Sequence, residues 1–469
     1  MSGLIGRMAE YAANERTRAL AEPVSLHARR ALIDWFAALL PGALLPPATM
    51  LGRALADEMR LEKASQGAPK PAADGAIVYT NGKRASLRTA ALINATAAHT
   101  VEFDDIFRDA VYHPGSAVIA AALAAAQARG ADGEALLRAI IIGYEISTRI
   151  GVAVMPSHYR FWHTTGTIGT FGAAAAVASI LRLEARPFAH ALATAATFAA
   201  GLKVAFRSES MSKPLHPGHA AEAGALAALA AAEGVTGAPD ALDGPAGFGQ
   251  AMSDQPDWEA ALDGLGERYN ITLMTFKNHG CCGHIFPAID ALLALAAEHH
   301  LLPQDVTRIR IGTYRAAIEV TDRSKVASPF EGRFSTQFCT ASALVHGSVR
   351  LDAFCPERLR DPEVQALMSR IEMAIDPECE ALFPRRRSAV VEVETKGGRS
   401  LRHFQRTRKG DPEAPLSDAE LDDKFFELAV PVIGRASAAT LLSSLRALGR
   451  GSGVDFLAGQ LRPHLEPAA

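Results

Sequence analysis

Cysteine is scarce in this 469-residue chain, and no two cysteines stand in a CxxC pair. The five present are Cys281, Cys282, Cys339, Cys355 and Cys379. Their odd number and irregular spacing argue against a disulfide framework and fit a reducing, cytoplasmic setting. Adjacent Cys281 and Cys282 have no second Cys/His pair at ligand spacing, so no metal site is expected. Excess charge is also missing. A net charge of −3 supplies no bulk attraction for nucleic acid or an anionic membrane. Any anion binding must come from locally placed Lys, Arg or His. The opening Met-Ser-Gly-Leu-Ile-Gly-Arg-Met-Ala-Glu holds no apolar run of signal length. The stretch 161–181 has no Asp, Glu, Lys or Arg, and its length could span a bilayer. It contains His163, several Thr, Ser and Gly, and much alanine, which gives little insertion energy. It therefore reads as a buried helix. No internal repeat and no low-complexity linker is visible.

What is present is enough apolar sequence for more than one core. The length exceeds the usual ceiling for a single core, so two domains are expected. Residues up to about 265 read as successive helices over 26–40, 86–100, 114–128, 132–152, 167–183, 187–202 and 219–233. Several are apolar nearly all round, which marks central helices of a large bundle. Gly166, Gly169 and Gly172 fall three apart, as close helix packing requires. The character changes near residue 270. Residues 306–313 alternate apolar and polar side chains, as a half-buried strand does. Residues 389–394 and 399–404 flank Lys396-Gly397-Gly398 and read as a hairpin. Helical stretches are expected over 286–299, 334–345 and 361–373. The fold class is mainly α. A helical domain over 1–268 is joined by a smaller α+β domain over 269–404. C-terminal helices over 405–469, with an apparent N-cap at Ser417 and Glu420 three positions on, rejoin the first domain.

The segment Met211-Ser-Lys-Pro-Leu-His-Pro-Gly-His219 places Lys213, His216 and His219 in a region otherwise built of Ala, Gly and Leu. Flanking Pro and Gly suggest a stiff turn that allows close approach. An ammonium in such surroundings is either partly desolvated or bound to an anion, and both suit an active site. The alternative reading is a surface loop between helices.

Four further segments stand with it. They are His99-Thr-Val-Glu-Phe-Asp-Asp105, His113-Pro-Gly-Ser-Ala117, Phe161-Trp-His-Thr-Thr-Gly-Thr167, and Lys277-Asn-His-Gly-Cys-Cys282 running on to Pro287-Ala-Ile-Asp290. In order and spacing the set resembles the MmgE/PrpD family, which includes 2-methylcitrate dehydratase, cis-aconitate decarboxylase and iminodisuccinate epimerase. Lys409-Gly-Asp-Pro412, followed by Pro415-Leu-Ser417, Leu421 and Lys424-Phe425, also looks like that family's C-terminal signature. The resemblance spans about residues 5 to 450. It implies a large helical domain built from both ends of the chain and a smaller lid. It also implies a cofactor-free active site between them, a small carboxylate substrate and a homodimer.

By the same resemblance, Lys213, His163 and His113 are the residues that bind carboxylate or move protons. Asp104 and Asp105 match the family's paired aspartates. His216 lies close enough to tune Lys213, and His99 is left open between a site role and a helix-end role. Lys277, and with it Arg207, are candidate carboxylate ligands. Departures from the pattern are as informative. Glu102 stands where aspartate is usual, and Ile106 where threonine is. Residues 283–287 read Gly-His-Ile-Phe-Pro in place of Arg-Tyr-Thr-His-Pro, with His284 a partial replacement for the lost histidine. Phe338 stands where the family has an active-site tyrosine. A site that loses hydrogen-bonding groups changes its substrate. The expectation is a cofactor-independent lyase that dehydrates a small polycarboxylate after proton abstraction alpha to a carboxylate, in the manner of 2-methylcitrate dehydratase. Epimerisation or decarboxylation in the same fold is the alternative. A catalytically inactive helical binding protein is the alternative of another class.

Overall fold

The computed structural model describes residues 3–59, 75–206 and 210–461. The chain is mainly α-helical, with a small mixed sheet. Its contacts divide it into two units. One runs to Met274 and resumes at Asp418; the other is Thr275–Ser417.

The first unit is built around the helix Thr164–Ile180, in which every residue is buried. It packs against Ser212–Ala232, Gly133–Val154 and Pro114–Arg129. The small residues make this possible. A Cβ on Gly172 would meet Val118 and Ser147, and one on Gly169 would meet Ala117 and Ala220. The run without charges is thus a core helix, as its composition requires. It starts later than the run does, because Phe161 is exposed and precedes the first helical turn. Among the described residues, Asp418–Arg446 is one helix long and apolar enough to cross a membrane by length and composition. Its backbone leaves helical geometry at Gly434, so neither half reaches the roughly 20 residues of a span.

Two local expectations are corrected. The Lys213 segment is not a turn but the first two turns of Ser212–Ala232. Pro214 lies in the first turn, where the backbone N–H has no helical partner, so it costs no hydrogen bond. Pro217 lies deeper, and its missing N–H leaves the Lys213 carbonyl without its helical donor. The second correction concerns 361–373. The helix is only Pro362–Met368, and Ile371–Ile375 is a strand. Ile371, Met373 and Ile375 alternate with polar or small residues, a period-2 signal hidden behind a helical one.

The second unit holds a four-stranded sheet. Ile371–Ile375 pairs parallel with Val306–Thr313, which pairs antiparallel with Ala389–Thr395, itself antiparallel to Ser400–Gln405. The helices Phe286–His299 and Thr336–His346 supply much of its apolar core, with Ile289, Leu292, Ile309, Ile311, Phe338 and Val391 buried together.

Candidate active site

Three helices of the first unit begin beside one another. His113 is the N-cap of Pro114–Arg129, His163 is the N-cap of Thr164–Ile180, and Lys213 is the second residue of Ser212–Ala232. The amide-rich ends of these helices favour negative charge. The side chains at them are joined through His99, in the last turn of Leu87–Thr100. The His99 ring lies 5.1 Å from that of His113 and 5.5 Å from that of His163, and the His163 ring lies 5.2 Å from that of His216.

Hydrogen bonding fixes how each imidazole is presented. His113 Nδ1 lies 2.8 Å from the Asp105 carbonyl oxygen. A carbonyl only accepts, so Nδ1 carries a proton, and in the neutral ring it is Nε2 that has the lone pair. His99 Nδ1 lies 2.6 Å from Asp104 Oδ2, which fixes the same tautomer beside a carboxylate. The Nε2 atom of His99 is buried and has no hydrogen-bond partner among the described residues. His163 and His216 face each other through Nδ1 at 3.0 Å, so one donates and the other accepts. Burial, then the charges of His99, Lys213, His216 and His113, holds His163 well below the usual histidine range. Burial, followed by His99, His219 and Lys213, takes His216 down to about 4. Both rings are therefore neutral near pH 7.

Lys213 forms an ion pair with Glu102, and its ammonium lies 5.1 Å from the centre of the Phe206 ring, whose edge packs on His163. Of the two states expected for this lysine, the anion-bound one is observed. Asp104 and Asp105 are both buried. Asp105 accepts from the Gly115 N–H at 3.0 Å and the Tyr144 hydroxyl at 2.7 Å. Burial and the Asp34 charge nevertheless push Asp105 up to about 8. The approach depends on Gly115, since a Cβ there would lie 2.8 Å from Asp105 Oδ1 and from Tyr144 Oη. The His-Pro-Gly spelling is thus a geometric demand. Histidine caps, proline starts the helix without needing an N–H, and glycine admits the carboxylate.

Asp104, His99 and His113 also form a donor set that could hold a metal ion, with their ligand atoms within 4.8 Å of one another. In the structure the His99–Asp104 contact is a hydrogen bond.

Lys277 and His284 belong to the second unit. Lys277 is buried near Cys281. His284 Nδ1 lies 2.6 Å from the Tyr314 hydroxyl, and burial followed by Arg387 and Arg408 takes the ring down to about 3. Phe338 and Phe286, where polar family residues were expected, are fully buried; Phe338 packs near Phe354, and Phe286 meets the edge of His279. Both are core residues of this unit. Cys281 and Cys339 are buried and unbridged, and burial raises the Cys281 thiol well above its usual value. Cys281 is therefore not an activated nucleophile. Ile106 is half-buried in the loop that follows Asp105. Arg207 lies outside the described residues.

One group was not legible beforehand. Lys424, fully buried on Asp418–Arg446, donates to Asp34 Oδ1 at 2.5 Å and to the Phe103 carbonyl at 3.0 Å. It pins the loop between Glu102 and Asp104. The available signal was a lysine inside an otherwise apolar helical pattern.

Residues 6–261 match the MmgE/PrpD N-terminal domain, and residues 279–448 match the MmgE/PrpD C-terminal domain. The chain belongs to the MmgE/PrpD family. Among its relatives, the human cis-aconitate decarboxylase is 29% identical over 76% of this chain and 73% of its own. A cis-aconitate decarboxylase-like protein of Aspergillus oryzae is 26% identical over 92% of this chain and 91% of its own. The cis-aconitate decarboxylase of Aspergillus terreus is 24% identical over 91% and 89%. MmgE/PrpD membership and these relatives support an activity of lyase type.

Proposed function

We propose that this MmgE/PrpD protein is a cofactor-independent lyase acting on a small polycarboxylate. The reaction starts by removal of the proton alpha to a carboxylate. The observation that carries the reading is the meeting of His113, His163 and Lys213 at three helix N-termini, with the His113 lone pair held on Nε2. His113 Nε2 takes the alpha proton. Lys213 and the helix ends balance the charge that builds on the neighbouring carboxylate. In dehydration the C–H electron pair becomes the new double bond as the C–O bond breaks. The hydroxide leaves as water with a proton delivered through the His163–His216 pair. Substrate carboxylates raise the proton affinity of that pair, so one ring takes up a proton from solvent as substrate binds and, as imidazolium, gives it to the leaving hydroxide.

Decarboxylation is the second reading, favoured by the cis-aconitate decarboxylases among the relatives. There the C–C bond breaks to release CO2, and the carbanion takes a proton from the same histidines. A screen of C4 to C7 di- and tricarboxylates by NMR separates the outcomes. Water loss supports the first reading and CO2 release the second. Proton exchange at one carbon without either marks an epimerase. Lys213→Ala is expected to abolish turnover in a protein that stays folded by circular dichroism. Retained turnover would sink the assignment.

A further inference from the structure

His113 is presented by a loop that turns back on itself between Asp105 and His113. The Phe107 N–H donates to the Tyr112 carbonyl at 2.7 Å, and the Tyr112 N–H to the Phe107 carbonyl at 3.2 Å. Val111, inside the bend, has φ +48°. A β-branched residue is a rare occupant of that left-handed region, so contacts must impose it. One is the Thr164 hydroxyl, which donates to the Val111 carbonyl. At the base of the loop two residues trade roles. His113 stands at the N-cap of Pro114–Arg129, but its side chain makes no cap hydrogen bond. Asp105 supplies the cap instead, accepting the Gly115 N–H on Oδ1 at 3.0 Å. His113 in turn donates its Nδ1–H to the Asp105 carbonyl at 2.8 Å.

The other carboxyl oxygen of Asp105, Oδ2, lies 2.7 Å from the Tyr144 hydroxyl. Tyr144 is fully buried near the middle of Gly133–Val154, a core helix that supplies no imidazole to the cluster. It ties the base of the loop to a rigid element. A hydroxyl suits this place because it can donate to an ionised carboxylate or accept from a protonated one. Asp105, pushed up to about 8, takes both forms near neutral pH. We propose that Tyr144 is a positioning residue for proton abstraction: acting through Asp105, it holds the carbonyl that fixes His113 and so aims the Nε2 lone pair. This rests on the reading of His113 as the base. Without the hydroxyl, Asp105 keeps only the Gly115 bond on its side chain and can turn about it, and the carbonyl of the same residue shifts with it. A misplacement of about 1 Å at a reacting group costs on the order of 100-fold in rate.

The test is Tyr144→Phe in the full chain, measured by alpha-proton exchange in D2O. The probe is the C4 to C7 di- or tricarboxylate that wild-type protein exchanges fastest. Exchange at saturation is expected to slow by at least about tenfold, while the half-saturating concentration changes less than about threefold. Circular dichroism is expected to show a folded variant. If it does not, Asp105→Ala removes the carboxyl end of the same link and is expected to give the same split. Three outcomes overturn the proposal and leave the lyase reading intact: exchange at the wild-type rate, a change confined to the half-saturating concentration, or a loss that only matches a lost fraction of folded protein. Absence of exchange by wild-type protein on every member of the series overturns the reading of His113 and the proposal with it.

Discussion

At the scale of single residues, the site is defined by which nitrogen of each imidazole carries the proton. Asp104 holds His99 by Nδ1, and the Asp105 carbonyl holds His113 by the same atom. Asp104→Asn can present an amide N–H to His99 and so release the tautomer that the carboxylate fixes. A fall in kcat of about 100-fold with KM changed less than about threefold is expected if the dyad acts on catalysis. Equal losses in kcat and thermal stability would indicate a structural carboxylate only. Gly115→Ala tests the other aspartate. The added methyl would collide with Asp105 and Tyr144, and overpacking of this kind costs about 1–3 kcal/mol. Chemical denaturation measures it, and a variant as stable as wild type would contradict the close approach. Most of these residues were legible in the sequence through motifs that match the family's in order and spacing, and Lys213 also because it stands out in Ala- and Gly-rich surroundings. His99 could not be assigned, because its meaning lies in contacts to His113 and His163, which come from other elements. Phe338 and Phe286 align with polar family residues, and their burial in an apolar core could be seen only after folding.

At the scale of elements, the informative case is the tether from Asp418–Arg446 to the loop that carries Glu102, Asp104 and Asp105. Lys424 joins that helix to Asp34 on Glu22–Gly42 and to Phe103. Lys424→Met leaves Asp34 as a buried carboxylate without this counter-charge, which should cost about 3–5 kcal/mol. Lys424→Met combined with Asp34→Leu removes both charges and should recover most of that stability. It should not recover turnover, because the Phe103 carbonyl remains untethered. Full recovery of turnover in the double variant would show that the lysine only balances charge. The helix periods were readable from apolar spacing, and so was the 306–313 strand. The start of Ser212–Ala232 was not, because Pro214 and Pro217 read as a turn, although Pro214 sits in the first helical turn and the helix continues through Pro217. Nor was Ile371–Ile375, a short strand whose pairing partner lies far away in sequence.

At the scale of the whole molecule, buried neutral histidines link stability to pH. His158 and His216 are held down to about 4, and His284 to about 3, chiefly by burial. In the unfolded chain each takes up a proton below about 6.5. Their contribution is therefore present above that pH and is lost as pH falls through the folded values. Asp105 runs the other way. Its raised value contributes stability at low pH that is lost as pH rises from about 4 to about 8. His158 isolates the histidine effect, since its ring bonds the Met252 carbonyl and the Thr167 hydroxyl rather than a side chain of the candidate site. In a His158→Gln variant the fall in unfolding free energy between pH 6.5 and 4 should shrink, by on the order of 3 kcal/mol at most. Parallel curves for wild type and variant would show that His158 is not the group that titrates.

The central claim is that His113 Nε2 removes a proton alpha to a carboxylate, and it is most directly tested by proton NMR in D2O. Candidate di- and tricarboxylates incubated with wild-type protein should lose the alpha-proton signal, with deuterium appearing at that carbon or in the eliminated product. Folded His113→Gln should slow that loss by about 100-fold or more. Loss at an unchanged rate in the variant, or turnover that leaves the alpha proton in place, would contradict the account.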